Sequence, residues 1–215
     1  MITYLVWDAG GTLFDTYPAV VSAASTALQG LGLVPPPSNL LLEWFRETVS
    51  AGVRRVVEMY SLDGAQFAAL FEASYERIDA ACQPPFPGVI EVCREMCHRN
   101  GRNFIITHRD RASLQKLLDA HGMAGYFTAL VTAEDPFPRK PDPTSILALL
   151  QRYALKPEEG LAIGDRDLDI QAGKNASLRT CFFGEEPHTT RADLEIVHYN
   201  VLYEWLWQEE PGSKR

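Results

Sequence analysis

The strongest constraint on this chain is a periodicity that changes twice. Thr3 to Trp7 is an apolar run that ends in Asp8-Ala9-Gly10-Gly11-Thr12. A short apolar run closed by glycines reads as a buried strand followed by a loop. From there to Pro84-Pro85-Phe86-Pro87-Gly88, the pattern is helical only. Val20, Ala24, Ala27 and Leu31 mark one amphipathic helix. Pro35-Pro36-Pro37 breaks it, and Ser38 or Asn39 is placed to cap the next. Leu42, Phe45, Val49, Val53, Val56 and Tyr60 predict one long second helix, and Phe67, Leu70, Phe71, Ser74 and Ile78 a third.

After Gly88 strands and helices alternate. Val89 to His98 is helical, Asn103 to Thr107 is a strand, and Ser113 to His121 is a helix with Leu114, Leu117 and Leu118 on one face. Ala129 to Thr132 is a short strand, and Asp142 with Pro143 opens a helix through Leu150. Leu161 to Gly164 and Arg179 to Phe183 are strands, and Val201 to Trp207 is a closing helix. Such alternation with short connections requires a parallel sheet covered on both faces. The expected architecture is a three-layer α/β core from residues 1–15 and 86–215, with residues 16–85 inserted as an all-helical domain.

Composition narrows the function. A chain of 215 residues with 46% hydrophobic and 22% charged residues is an ordinary globular one. Its net charge of −8 repels phosphate backbones, so neither nucleic acid nor an anionic membrane is expected as a partner. A small anionic substrate stays open, because a metal ion inverts the local field. Four cysteines are too few for a disulfide framework, and Cys93 with Cys97 is read as buried thiols on a helix rather than a metal clip. No basic leader precedes the first strand, and no apolar run approaches the roughly 20 residues that span a bilayer. The expected location is the cytoplasm.

Three strand ends offer polar groups to one edge of the sheet, where open α/β folds bind ligands. The first offers Asp8, the second Thr107, and the fourth Asp165 with Asp167 and Asp169 behind it; Arg139-Lys140-Pro141 precedes a helix between them. Carboxylates gathered this closely raise one another's pKa or demand a cation, and hard oxygens suit Mg2+. A threonine hydroxyl and a lysine ammonium suit phosphoryl oxygens. Gly10-Gly11 allows backbone N–H groups to approach them.

Asp8-Ala9-Gly10-Gly11-Thr12-Leu13, Thr107, Lys140 and Gly164-Asp165-Arg166-Asp167-Leu168-Asp169, in that order, resemble the four motifs of the haloacid dehalogenase-like hydrolase superfamily. The resemblance covers the whole chain and is greatest to the phosphoglycolate phosphatase-like subfamily, whose helical cap follows the first strand of a Rossmann-like core. It implies a Mg2+-dependent phosphohydrolase acting on a small phosphorylated substrate. By the resemblance Asp8 is the nucleophile that forms an aspartyl-phosphate. Thr107 and Lys140 hold phosphoryl oxygens, with Gly10 and Gly11 as substrate-binding backbone. Asp8, Asp165, Asp169 and the Gly10 carbonyl hold the metal, with Asp167 as the alternative to Asp169.

One departure matters. Phosphatases of the superfamily carry a second Asp two residues after the nucleophile, as general acid and base; here that position is Gly10. A positioned acid–base is worth roughly 10²–10⁴-fold. Three explanations compete: a leaving group that needs no acid, such as an acyl phosphate; another proton donor, with His108 the best placed and Tyr17 or a cap residue behind it; or a protein that binds phosphorylated ligands without turning them over. The phosphonate-cleaving relatives use a cap lysine, and residues 16–85 contain none. A 2-haloacid dehalogenase is disfavoured, since clustered acids oppose a carboxylate substrate. Arg46, Arg54 and Arg55 are read as a solvated helix face, and Arg109 and Arg166 as orienting groups or loop surface.

Overall fold

The computed structural model describes residues 1–185 and 188–208. Six parallel strands form one sheet. In chain order they are β1 (Tyr4–Trp7), β2 (Arg102–Ile106), β3 (Phe127–Val131), β4 (Gly160–Gly164), β5 (Arg179–Phe183) and β6 (Leu194–Ile196), and across the sheet they run β3-β2-β1-β4-β5-β6. β1 is central: Trp7 pairs with Ile105 on one side and Ile163 on the other. Every residue of β1 is buried, which explains an apolar run without alternation. Tyr4 and Val6 join a cluster with Phe104, Ile106, Ile146 and Leu149 on one face. Trp7, on the opposite face, stacks obliquely on Tyr199 and donates from its indole N–H to Asn103.

The order of the strands reverses between β1 and β4, so the crevice for ligands opens where the loops after these two strands begin. The sheet is flanked by α5 (Val89–His98), α6 (Arg111–Ala120), α7 (Thr144–Tyr153), α8 (Asp167–Asn175) and α9 (Tyr199–Trp207). Sequence periodicity missed β6, whose three residues are too few to show a period. Pro143, not Asp142, is the capping position of α7, yet the Asp142 carboxylate accepts the Thr144 N–H at 2.8 Å, which is the work a cap does.

The chain divides into two compact units, Met1–Phe14 with Pro85–Arg215, and Asp15–Pro84. The second is all-helical: α1 (Tyr17–Gly30), α2 (Ser38–Glu47), α3 (Val49–Tyr60) and α4 (Gly64–Glu76). Its interior is apolar, with Val20, Ala24, Leu28, Leu41, Phe45, Val56, Phe67 and Phe71 packed together. The single long helix expected from Leu42 to Tyr60 is two helices. Thr48 is extended (φ −160°, ψ 156°), and its hydroxyl accepts the Ala51 N–H at 3.0 Å, ending α2 and capping α3. Periodicity survived the break because both helices face the same core. Neither Ser38 nor Asn39 caps α2: the helix begins at Ser38 behind Pro37, with no side-chain cap. Arg46 lies 5.2 Å over the Tyr17 ring, and Arg55 pairs with Glu47 at 2.7 Å. Burial raises the pKa of the Asp15 carboxyl, with Arg46 opposing. No helix among the described residues is long and apolar enough to cross a membrane.

Candidate active site

Asp8 leaves the carboxyl end of the central strand, and its N–H still bonds to the Ile163 carbonyl at 2.9 Å. It is therefore fixed by the sheet and not by a loop. Asp165 follows β4, and Asp169 lies in the first turn of α8. One carboxylate oxygen from each of Asp8, Asp165 and Asp169 lies within 4.8 Å of the others. Asp167 is not in this group. Its carboxylate accepts the N–H groups of Thr189 and Thr190 and the Thr189 hydroxyl, anchoring the segment before β6. Burial acts to raise its pKa, but these hydrogen bonds outweigh it and hold the carboxyl below its usual range.

Gly164 makes this geometry possible. A Cβ there would stand 2.2 Å from the Asp169 Cβ and 2.7 Å from its Oδ2, so only glycine admits Asp169 so close to β4. Gly11 does the same for the first loop: its φ of +86° is left-handed, and its N–H returns to the Phe14 carbonyl at 2.8 Å. Thr12 donates its hydroxyl to Asp165 Oδ1 at 3.0 Å. The Tyr199 hydroxyl in turn donates to the Thr12 carbonyl at 2.8 Å.

Lys140 supplies the central positive charge. Its ammonium donates to Asp8 Oδ1 at 2.5 Å and to the Ile106 carbonyl at 2.9 Å, and pairs with Asp169 Oδ1 at 2.5 Å. Two of these contacts are hydrogen bonds, and the one to Asp169 is an ion pair. Burial acts to lower its pKa, but Asp169 and Asp8 together outweigh burial, and the net direction is up. A raised lysine pKa means that the stabilisation of this pair is complete below the unfolded value and is lost only as pH rises through the folded one. The other oxygen of Asp8, Oδ2, is buried and has no hydrogen-bond partner. A buried unpaired carboxylate oxygen is costly unless something is to occupy it. Together with the two further carboxylates, it fits a hard divalent cation or an electrophile.

Thr107 directly follows β2, buried, and its Oγ1 accepts the Arg109 N–H at 3.2 Å, leaving its own proton to donate. His108 is turned to Lys140: its Nε2 accepts the Lys140 backbone N–H at 3.0 Å. Burial first, then the charges of Lys140, Arg166 and Arg139, lower its pKa to about 4. At neutral pH His108 is thus uncharged, with its remaining proton on Nδ1. Sequence reasoning left Arg166 between two readings. Its guanidinium lies 3.6 Å from Asp8 and 3.7 Å from Asp169, so it belongs to the charged centre. Thr12 was not singled out as a site residue at all. Its place within the first motif was the only signal, because its partners are 153 and 187 residues away.

The reversal point of a parallel sheet, with a buried lysine among three carboxylates, is the candidate site of an α/β enzyme. Comparison identifies the family. The haloacid dehalogenase-like hydrolase family matches residues 5–183, and the chain belongs to it. It is 26% identical over 179 residues to a phosphoglycolate phosphatase of Aquifex aeolicus, covering 82% of each chain. It is 24% identical over 225 residues to one of Rhodospirillum rubrum, covering 98% of this chain and 93% of that protein. A solved structure of a predicted phosphoglycolate phosphatase from Haemophilus somnus shares the fold at a TM-score of 0.85 and 18% identity, over 96% of this chain and 98% of that one. The chain is a hydrolase of this family, and these relatives carry phosphatase names.

Proposed function

We propose that this chain is a Mg2+-dependent phosphohydrolase that acts on a small phosphorylated metabolite through an aspartyl-phosphate on Asp8. The observation that carries the reading is Asp8 itself: Lys140 holds one of its oxygens, while the other is buried and unpartnered. The carboxylates of Asp8, Asp165 and Asp169, with the Gly10 carbonyl, would hold the metal. Bound there, Mg2+ would supply charge neutralisation for phosphoryl oxygens.

In this reading Asp8 attacks phosphorus as the bond to the leaving oxygen breaks, and water then cleaves the acyl phosphate, releasing phosphate and restoring the carboxylate. Lys140 holds Asp8 in orientation, and Thr107 donates its hydroxyl to a phosphoryl oxygen. For Lys140 to reach that oxygen as well, it must give up one of its present partners. The helical unit, residues 15–84, is read as the cap that selects substrate. The cytoplasm, where four thiols stay reduced, is the compartment this reading favours.

Position 10 shapes the substrate class. No carboxylate stands there, and His108 is neutral with Nε2 already accepting, so a cationic acid is missing from this pair. This favours a leaving group that departs without a proton. Phosphate release from acetyl phosphate, 2-phosphoglycolate and an aryl phosphate, with and without Mg2+, tests it. Acetyl phosphate is expected to turn over fastest, and Asp8→Asn to lower kcat/KM at least about 10³-fold. The second reading, a phospholigand binder without turnover, rests on the same missing carboxylate. A beryllofluoride adduct on Asp8 with no release from any substrate would favour it.

A further inference from the structure

Three converging carboxylates need positive charge, and the fold brings two sources to them. Lys140 is the deeper one, with 4% of its side chain exposed. Arg166 is the shallower, at 19%. It follows Asp165 directly and precedes α8. Its Nη2 is 3.6 Å from Asp8 Oδ1, and its Nε is 3.7 Å from Asp169 Oδ2. Its backbone N–H donates to that same Asp169 oxygen at 3.2 Å, so the residue is tied to the carboxylate its side chain faces.

The two cations are held differently. The Lys140 ammonium sits at 2.5 Å from two carboxylates and also bonds a strand carbonyl, so moving it would break contacts in the buried interior. The guanidinium stands beyond ordinary hydrogen-bond distance from both carboxylates and touches solvent. It acts on them through charge, and its charge is permanent, because arginine does not deprotonate in this range. A divalent cation among Asp8, Asp165 and Asp169 would share two of its three carboxylates with this group. Like charges at such a distance repel strongly in a partly buried site.

We infer that Arg166 is a positioning residue that sets the metal affinity of the acidic centre. When no divalent cation is bound, it screens Asp8 from Asp169; when one binds, the guanidinium gives up that place. Metal affinity is therefore weaker than the three carboxylates alone would give, and the metal-free site stays charge-balanced. This rests on the Mg2+ reading above.

Calorimetric titration of MgCl2 into the substrate-free protein tests it, on wild type, Arg166→Gln and Arg166→Lys. R166Q is expected to bind Mg2+ roughly five- to tenfold more tightly than wild type. R166K, which keeps the charge, is expected to stay within about twofold of wild type. Without metal, R166Q should melt lower than wild type, and Mg2+ should raise its melting temperature by more. Arg166→Met gives the same comparison if R166Q does not fold. A charge-removing variant that folds but binds Mg2+ no more tightly than a wild type that does bind it overturns this inference and leaves the metal reading standing. No binding by either protein overturns both.

Discussion

The two units spend their interiors in opposite ways. The helical unit buries Phe45, Phe67, Phe71 and aliphatic neighbours, and its only fully buried polar residues are the uncharged Thr16 and Gln83. The α/β unit buries Asp8, Lys140 and Asp169 at the reversal point of its sheet. Burying charge rarely stabilises a fold relative to apolar packing, but removing one partner of such a group is costly. The contrast teaches where selection for chemistry has acted. A helical unit built on apolar packing needs no ionised interior, whereas the α/β unit tolerates one that packing alone would not produce.

Restoring the missing carboxylate would sharpen the contrast most. Gly10→Asp is expected to raise kcat on simple phosphate esters by about 10²-fold or more, read as phosphate release. No gain would mean that the charged centre is not short of an acid. The next effect separates the two interiors. Lys140→Met leaves Asp8 and Asp169 without their ammonium and should cost about 3–5 kcal/mol in urea unfolding, with loss of activity. Phe67→Ala should cost a similar ~3–5 kcal/mol but leave the Mg2+ affinity of the acidic centre within about twofold of wild type. A large shift in that affinity would break the division drawn here.

A smaller effect is expected from Gly164→Ala. Its Cβ would collide with Asp169, so a loss of about 1–3 kcal/mol should accompany weaker Mg2+ binding. The smallest concerns pH. His108 in the folded protein takes its proton near pH 4, below the unfolded value of about 6.5. The unfolded chain therefore binds that proton first as pH falls. The contribution of neutral His108 is complete above about pH 6.5 and is lost as pH drops toward 4. His108→Asn should flatten that part of the stability profile, measured by urea midpoints at pH 7 and pH 4.5. An NMR titration of His108 with a midpoint near 6.5 would contradict the buried, cation-facing setting.

Asp8, Asp165 and Lys140 were legible in the sequence because each stands beside an element boundary. Asp8 and Asp165 follow apolar runs, and Lys140 precedes a helix start, so their convergence follows from parallel topology alone. What stayed hidden was pairwise. Asp167 and Asp169 are equivalent by composition, and only the turn of α8 separates them, sending one to Thr189 and Thr190 and the other to Lys140. His108 read as a proton donor because of its residue type. Its lowered pKa comes from burial and three cations, two of them just over 30 residues away and the third more than 50. Thr48 escaped notice because a capped break between two helices that share a core leaves the apolar period intact.

Sequence alone determined the layered α/β plan, the helical insert and the acids that could meet at one edge, because periodicity and strand-end chemistry are local properties of the chain. Tertiary structure decided which acids do meet, that Lys140 is already shared between two of them, and that Arg166 stands with them. Those outcomes depend on distances between segments far apart in the chain, set by strand order and by a glycine that lets Asp169 pack against β4, and no local pattern encodes a distance.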